Sequence, residues 1–352
     1  MRITRNILII GTGTIGEPLI GLLADFKKKL NLHDVTFHKR TPLVDEVAKV
    51  NSLIKRGAKL VVDEDKRDVF KDLGHKVSYT FEQALKRATV VIDCTPAGNE
   101  HKKKHYCKHP NKLYIAQGSE KDFGVPYAYG INDKVLEKNP SFIQVVSCNT
   151  HNIAAILRSI DPGLNRLEKS DFVCIRRAND ISQEANFIAS PQVGKHKFTS
   201  FGTHHARDAH ALFRTLDKHM DIFSSAMKIN SQYMHLIRFN VVIYQSLSIE
   251  SLIDRFKENK FVALTHKNLS NKVFSFGRDH GYYGRIYNQT VVSLPSLITA
   301  QRGGKTQVTG FCFTPQDGNS ILSSVAACLY GLYGDEYLEY MRIFDEFLFD
   351  EI

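Results

Sequence analysis

Nowhere does this chain of 352 residues hold the about 20 consecutive apolar residues that a membrane-spanning helix needs. The opening segment, MRITRNILIIGTG, has only a short apolar run before its glycines and no small-residue cleavage site. It reads as a first β-strand rather than a signal peptide. Cysteine is sparse: Cys94, Cys107, Cys148, Cys174, Cys312 and Cys328 are scattered, and no two form a Cys-x-x-Cys pair. That spacing speaks against a disulfide framework and a cysteine-based zinc site, and the expected compartment is a reducing cytoplasm. Low-complexity segments are also missing, and with 43% hydrophobic residues the chain has material for the two domains its length suggests.

What is in excess is positive charge. Lysine and arginine total 47 against 37 acidic residues, a formal charge of +10. Such a surplus suits either a nucleic-acid surface or the handling of phosphorylated small molecules. The most basic segment, EHKKKHYCKHPNK (residues 100–112), contains one aromatic, Tyr106, and no RNA-binding signature. It reads as a solvated helix face and loop.

The most informative local pattern opens the chain. The β-branched run Ile7–Ile10 leads into Gly11-Thr-Gly13-Thr-Ile-Gly16 and then into the helical EPLIGLLADF. Gly11 permits the tight turn, Gly13 lets a pyrophosphate approach the backbone, and Gly16 lets helix and strand pack closely. The helix N-terminus then offers free N–H groups to the anion. The next strand, DVTFHKRTP, ends in His38, Lys39, Arg40 and Thr41. An NAD-selective domain would carry an acid there for the ribose hydroxyl; two cations instead favour the 2′-phosphate of NADP. Further strands are expected in ATVVIDCTPAG, NKLYIAQGSEK and SFIQVVS, with helices in LVDEVAKVNSLIKRGA and FEQALKRA. Strand alternating with helix predicts a doubly wound α/β sheet extending to about residue 146.

Cys148 follows the last of these strands and opens the helical NTHNIAAILRSI. A thiol on a helix N-terminus is shifted toward thiolate, the form that attacks carbonyls. Cys94, Cys174 and Cys328 lie in apolar runs and read as inert core. In SFGTHHARDAH, His204 and His205 are neighbours with Arg207 and Asp208 just after, and an imidazole suits proton transfer near neutrality. His204 and Asp208 are four apart, but no further ligand accompanies them, so no metal is expected. Arg176 and Arg177 end another strand and are candidates for contact with phosphate or cofactor.

Taken in order, these motifs resemble the archaeal-type (type II) glyceraldehyde-3-phosphate dehydrogenases. The family's Gly-Tyr-Gly-Thr-Ile-Gly is similar to Gly11–Gly16, its Lys-Thr-Arg-Pro to Lys39–Pro42, and its Val-Ile-Asp-Cys-Thr-Pro to Val91–Pro96. Its Gln-Gly-Gly-Glu-Lys resembles Gln117–Lys121, and its Val-Val-Ser-Cys-Asn-Thr is matched by Val145–Thr150. The paired arginines and paired histidines follow at fitting distances. The resemblance implies a Rossmann domain over residues 1–147 and an α+β catalytic domain with a mixed sheet over 148–313. A helical segment, 314–352, would return to the first domain. It implies that Thr14 and Ile15 meet the cofactor pyrophosphate and that Gly118 lies alongside the dinucleotide. Gln316 and one of Arg176 and Arg177 would contact the cofactor, which is NADP or NAD. Ser147, Cys148 and Asn149 would hold the aldehyde, with Cys148 as nucleophile and one of His204 and His205 as base. Partners implied are a phosphorylated aldehyde and inorganic phosphate, in a homotetramer.

The chain also departs from the family. Where the family continues Thr-Gly-Leu-Cys-Arg after the cysteine motif, this chain reads His151-Asn-Ile-Ala-Ala, and the nearest downstream arginine is Arg158. The family's His-His-Gly-Pro-Asp has become His204-His-Ala-Arg-Asp208, which sets Arg207 beside the substrate site. Two other readings compete on sequence grounds. One is an aldehyde or acyl-phosphate dehydrogenase of the aspartate-semialdehyde type. The other is a non-catalytic NADP-binding or nucleic-acid-binding relative.

Overall fold

The computed structural model describes residues 4–118, 120–179, 187–315 and 317–352. The chain divides into two compact units. Met1–Val125, Lys134–Val145 and Ser323–Ile343 form the first; Pro126–Asp133, Val146–Leu322 and Phe344–Ile352 form the second.

The first unit is built on the strands β1 (Asn6–Ile10), β2 (Asp34–His38), β3 (Lys59–Val62), β4 (Val77–Thr80), β5 (Val90–Asp93), β6 (Leu113–Gln117), β7 (Val125–Tyr127) and β8 (Phe142–Val145). Their order is β4-β3-β2-β1-β5-β6-β8-β7, with β1 parallel to both β2 and β5. Every residue of β1 and of β2 is buried. Burial on both faces is what a parallel sheet covered by helices requires, and it explains the unbroken apolar run Ile7–Ile10. Strands β3 and β4, each of four residues, lie outside the sequence expectations, being too short to show a period of their own. The expected helix after β2 begins with a 3₁₀ turn, Val44–Glu46, before the α-helix Val47–Lys55. The helix Phe81–Arg87 is closed by a capping box between Thr80 and Gln83.

The second unit carries β9 (Leu167–Arg176), β10 (Gln192–Val193), β11 (Ile222–Lys228), β12 (His235–Ile243), β13 (Val262–Thr265), β14 (Thr290–Ser293), β15 (Ile298–Arg302) and β16 (Lys305–Thr314). The order is β10-β11-β9-β12-β16-β14-β13, with β15 on β16. The sheet is mixed: β9 runs parallel to β11 and antiparallel to β12. Along β12, buried and half-buried residues alternate strictly. One face therefore packs on a core and the other does not, unlike β1. That core surrounds the helix Cys148–Ile160, of whose 13 residues 11 are buried. Ile153, Ile156, Leu157 and Ile160 are fully buried there, each worth about 1.5–3 kcal/mol relative to an exposed side chain. The fold is thus the α/β combination the motifs imply. Among the described residues no helix is long and apolar enough to cross a membrane.

Candidate active site

In the first unit, β1 turns into the helix Gly16–Asp25 through the glycines. Gly11 has φ +93°, and a Cβ at Gly16 would stand 2.1 Å from the Gly11 carbonyl oxygen. A Cβ at Gly13 would meet nothing within 4 Å. Two of the three glycines are therefore demanded by the turn itself, whereas Gly13 leaves an open face over the backbone. The residue before the helix, Ile15, provides no side-chain cap. Open backbone beside helix N–H groups fits a pyrophosphate. The turn stands next to the β1/β5 boundary, where the strand order reverses and an α/β sheet opens its ligand crevice. Thr14 lies within this turn. Gly118, with φ +72°, donates its N–H to the Val145 carbonyl (3.0 Å) just past β6. Gln316 lies outside the described residues.

At the end of β2 the two cations part company. Lys39 is buried and paired with Glu46, which also binds Lys49. A carboxylate absent from the strand end is thus supplied from the 3₁₀ turn, and the lysine is neutralised. Arg40 is exposed and has no ion pair among the described residues, so it alone remains available for an anion.

In the second unit Cys148 is the first residue of its helix. Ser147 caps it, with the hydroxyl accepting from the Thr150 N–H (3.4 Å) and meeting the Thr150 hydroxyl at 2.9 Å. The thiol is half-buried, while Cys174, Cys312 and Cys328 are buried. Burial drives the Cys174 and Cys328 thiols far above their ordinary range and pushes Cys312 up to about 12. Burial, then Asp93, raises Cys94 likewise. These thiols stay protonated; Cys174 and Cys328 are buried as expected, whereas Cys94 is half-buried.

Four consecutive polar residues after Cys148 are buried, which requires partners for each. Thr314 at the end of β16 supplies two of them. Its hydroxyl donates to Asn149 Oδ1 (3.1 Å) and accepts from Asn152 Nδ2 (2.8 Å). The Cys312 thiol donates to Asn152 Oδ1 (3.1 Å), and Asn319 Nδ2 donates to the Cys148 carbonyl (3.1 Å). This lattice pins the first turn of the cysteine helix to the sheet. None of Asn152, Thr314 or Asn319 was indicated by sequence; a run of polar residues at the head of an apolar helix is the only local signal.

His151 stands where the family motif departs. Its Nδ1–H donates to the Ser147 carbonyl (3.0 Å), and burial lowers its pKa to about 4. A histidine neutral in the fold and titrating near 6.5 when unfolded makes the unfolded state bind more protons between those values. Stability attributable to this residue is full above pH 6.5 and falls as pH drops toward 4. The loss is about 3 kcal/mol. Urea midpoints between pH 4 and 7 should fall correspondingly in the native protein and flatten in His151→Gln; equal slopes in both would refute this assignment.

The histidine pair opens the helix His204–Arg214, capped by Thr203, and their rings lie 3.9 Å apart between centroids. His205 is buried, and neither of its ring nitrogens has a hydrogen-bond partner among the described residues. Burial first, then the charges of His204, Arg176 and His235, holds its pKa well below the ordinary value. His204 is lowered by burial, with Arg176, Arg207 and Lys197 adding to the effect and Asp208 opposing it. Arg176 also acts on Cys174, as does Cys148. Arg176 thus acts on His204, His205 and Cys174, and Cys148 acts on Cys174, all within the second unit. Arg207 is less available than its position suggests. It is held by Asp208 through Nε and Nη2 (2.9 and 2.7 Å) and covers the Phe198 ring. Arg177 is buried, its N–H donating to His235 Nδ1 (3.0 Å), and it borders a cavity of about 250 Å³ with Arg278, Arg285 and Asp317.

Fold and site together define a class: a two-unit α/β protein with a dinucleotide-type parallel sheet, and in its second unit a capped, half-buried cysteine at one helix head and a histidine pair at another. The chain matches no family model. It is similar to curated archaeal proteins named glyceraldehyde-3-phosphate dehydrogenase. That of Sulfolobus acidocaldarius is 24% identical over 308 residues, 84% of this chain and 83% of the relative. That of Pyrobaculum islandicum is 25% identical over 250 residues, 70% and 69% of the two chains. That of Methanobacterium formicicum is 28% identical over 265 residues, 74% of each. The resemblance to the archaeal glyceraldehyde-3-phosphate dehydrogenases thus extends over most of the chain.

Proposed function

We propose that the protein is a phosphorylating glyceraldehyde-3-phosphate dehydrogenase that works with NADP. The observations that support this reading are Cys148 at the capped head of a buried helix and, in the same unit, two imidazoles held neutral by burial and by Arg176. The named relatives supply the substrate class. Cys148 adds as thiolate to the aldehyde carbon, the carbonyl π bond breaks, and the oxygen, steadied by helix N–H groups and Asn149, takes a proton from solvent to give a thiohemiacetal. Ser147 and Asn149 flank that carbon. A neutral imidazole of the histidine pair takes the hydroxyl proton as the carbon loses its hydride, leaving a thioester on Cys148. Inorganic phosphate then attacks the thioester carbon, the thiolate leaves, and the acyl phosphate is released. We assign the proton acceptance to His205, whose nitrogens are uncommitted. Arg176 places positive charge where an anionic substrate and phosphate are handled. The dinucleotide, when bound, supplies the hydride acceptor. In this chain Gly13, Thr14 and Ile15 would hold its pyrophosphate, Gly118 and Gln316 would adjoin it, and Arg40 would meet the 2′-phosphate.

Purified protein with glyceraldehyde 3-phosphate should reduce NADP only when inorganic phosphate is present. Turnover without phosphate would replace the acceptor by water, and absence of turnover in both conditions would sink the proposal.

A further inference from the structure

The carboxyl edge of the parallel sheet holds a polar cluster that the glycine turn does not use. Asp93, the last residue of β5, is fully buried and accepts four hydrogen bonds. They come from the Thr95 N–H (3.0 Å), the Thr95 hydroxyl (2.7 Å), His101 Nδ1 (2.7 Å) and the Tyr106 hydroxyl (2.6 Å). Burial opposes its charge, but these donors outweigh that cost and keep the carboxyl below its usual range. A buried carboxylate of this kind demands a cation, and among the described residues His101 is the only candidate bonded to it. The His101 side chain is 24% exposed, and its second nitrogen, Nε2, has no partner among the described residues.

Arg40, from the end of β2, is close enough to act on His101 and on Asp63. Asp63 is itself paired with His38 (3.0 Å). Phe81 lies between His38 and His105, at 4.8 and 5.0 Å between ring centroids. Both carboxylates of the cluster are therefore occupied by histidines, while Arg40 is unpaired. Beside the strand-order reversal stand a guanidinium without an ion pair among the described residues and an imidazole seated on a buried carboxylate.

We propose that His101, seated on Asp93, is a specificity-determining residue that joins Arg40 in binding the 2′-phosphate of the phosphorylated dinucleotide. This rests on reading the first unit as the dinucleotide holder. The groups around His101 set the sign of its pH dependence. The hydrogen bond that His101 donates to Asp93 raises its pKa, burial and Arg40 lower it, and the charges of Asp93 and Glu100 add to the rise; the net shift is upward. His105, nearby, is itself paired with Glu82 (3.7 Å) and lowered by burial. His101 is thus cationic below its raised pKa and loses its charge as pH climbs through it. The phosphate's second ionisation, near 6, is largely complete above about pH 7, so a loss of NADPH affinity at higher pH reports loss of charge on the protein.

The test is direct binding of NADPH and NADH, followed by fluorescence from pH 7 to 9. In the native protein the NADPH preference should shrink as pH rises. His101→Gln should weaken NADPH about 5- to 10-fold at pH 7, leave NADH binding unchanged, and flatten the pH dependence. His101→Lys should restore NADPH binding and keep it at pH 9. Equal losses for both dinucleotides, or a preference that ignores His101, would overturn the assignment. Failure of the native protein to bind either dinucleotide would instead remove the reading on which it rests.

Discussion

Replacing Cys148 by serine should lower turnover by about 10⁴-fold or more while leaving NADPH binding unchanged. A hydroxyl is the same shape as a thiol but is not ionised by a helix N-terminus near neutral pH, so no acyl intermediate accumulates. The fold should tolerate the change. Cys148 is half-buried, and the helix is anchored through backbone and neighbouring groups: the Cys148 carbonyl to Asn319, the caps to Ser147, and Asn149 and Asn152 to Thr314. Stability should change by less than about 1 kcal/mol. Steady-state assays beside dinucleotide titrations decide the matter. A serine variant retaining a few per cent of native turnover would end the nucleophile assignment.

The second large effect belongs to His205. His205→Gln should reduce kcat by about 10²- to 10⁴-fold, the range a positioned base contributes. His204→Gln should cost much less. The reason for separating two adjacent imidazoles is structural. His205 is buried with both nitrogens uncommitted, whereas His204 is half-buried and surrounded by Arg176, Arg207, Lys197 and Asp208. A depressed pKa keeps His205 in its neutral, proton-accepting form as pH falls through 6.5, and the form is lost only well below that value. In an NMR titration its ring signal should therefore stay that of neutral imidazole at pH 6. A ring that protonates above 6.5, or a larger loss in the His204 variant, would transfer the role to His204.

Much of the first unit was readable because its signals are local. Gly11 with its positive φ and Gly16, whose Cβ would strike the Gly11 carbonyl, are required by the turn's own backbone, and the run Ile7–Ile10 records burial on two faces. Strands β3 and β4 escaped because four residues carry no period. The cations after β2 were legible as residues but not as a site. Glu46 comes from the next turn and removes Lys39 from play, leaving Arg40. Arg207 illustrates the same limit in the second unit. Its position beside the histidines suggests substrate binding, yet Asp208 and Phe198 occupy its guanidinium.

From the ordered residues alone came the glycine turn, the alternation of strand and helix, the cysteine at a helix head and the pairing of two histidines. Each is written in neighbouring residues, where backbone geometry and helix dipoles act over a few positions. Folding decided what depends on contacts across long sequence separations. Thr314 reaches Asn149 and Asn152 from more than 160 residues away, and Arg176 lies near enough to His204 and His205 to depress both. In the same way Arg40, from the end of β2, comes close enough to His101 to act on it. Protonation, hydrogen-bond satisfaction and the availability of a charge follow from burial and from which partner arrives. Those are properties of the packed chain.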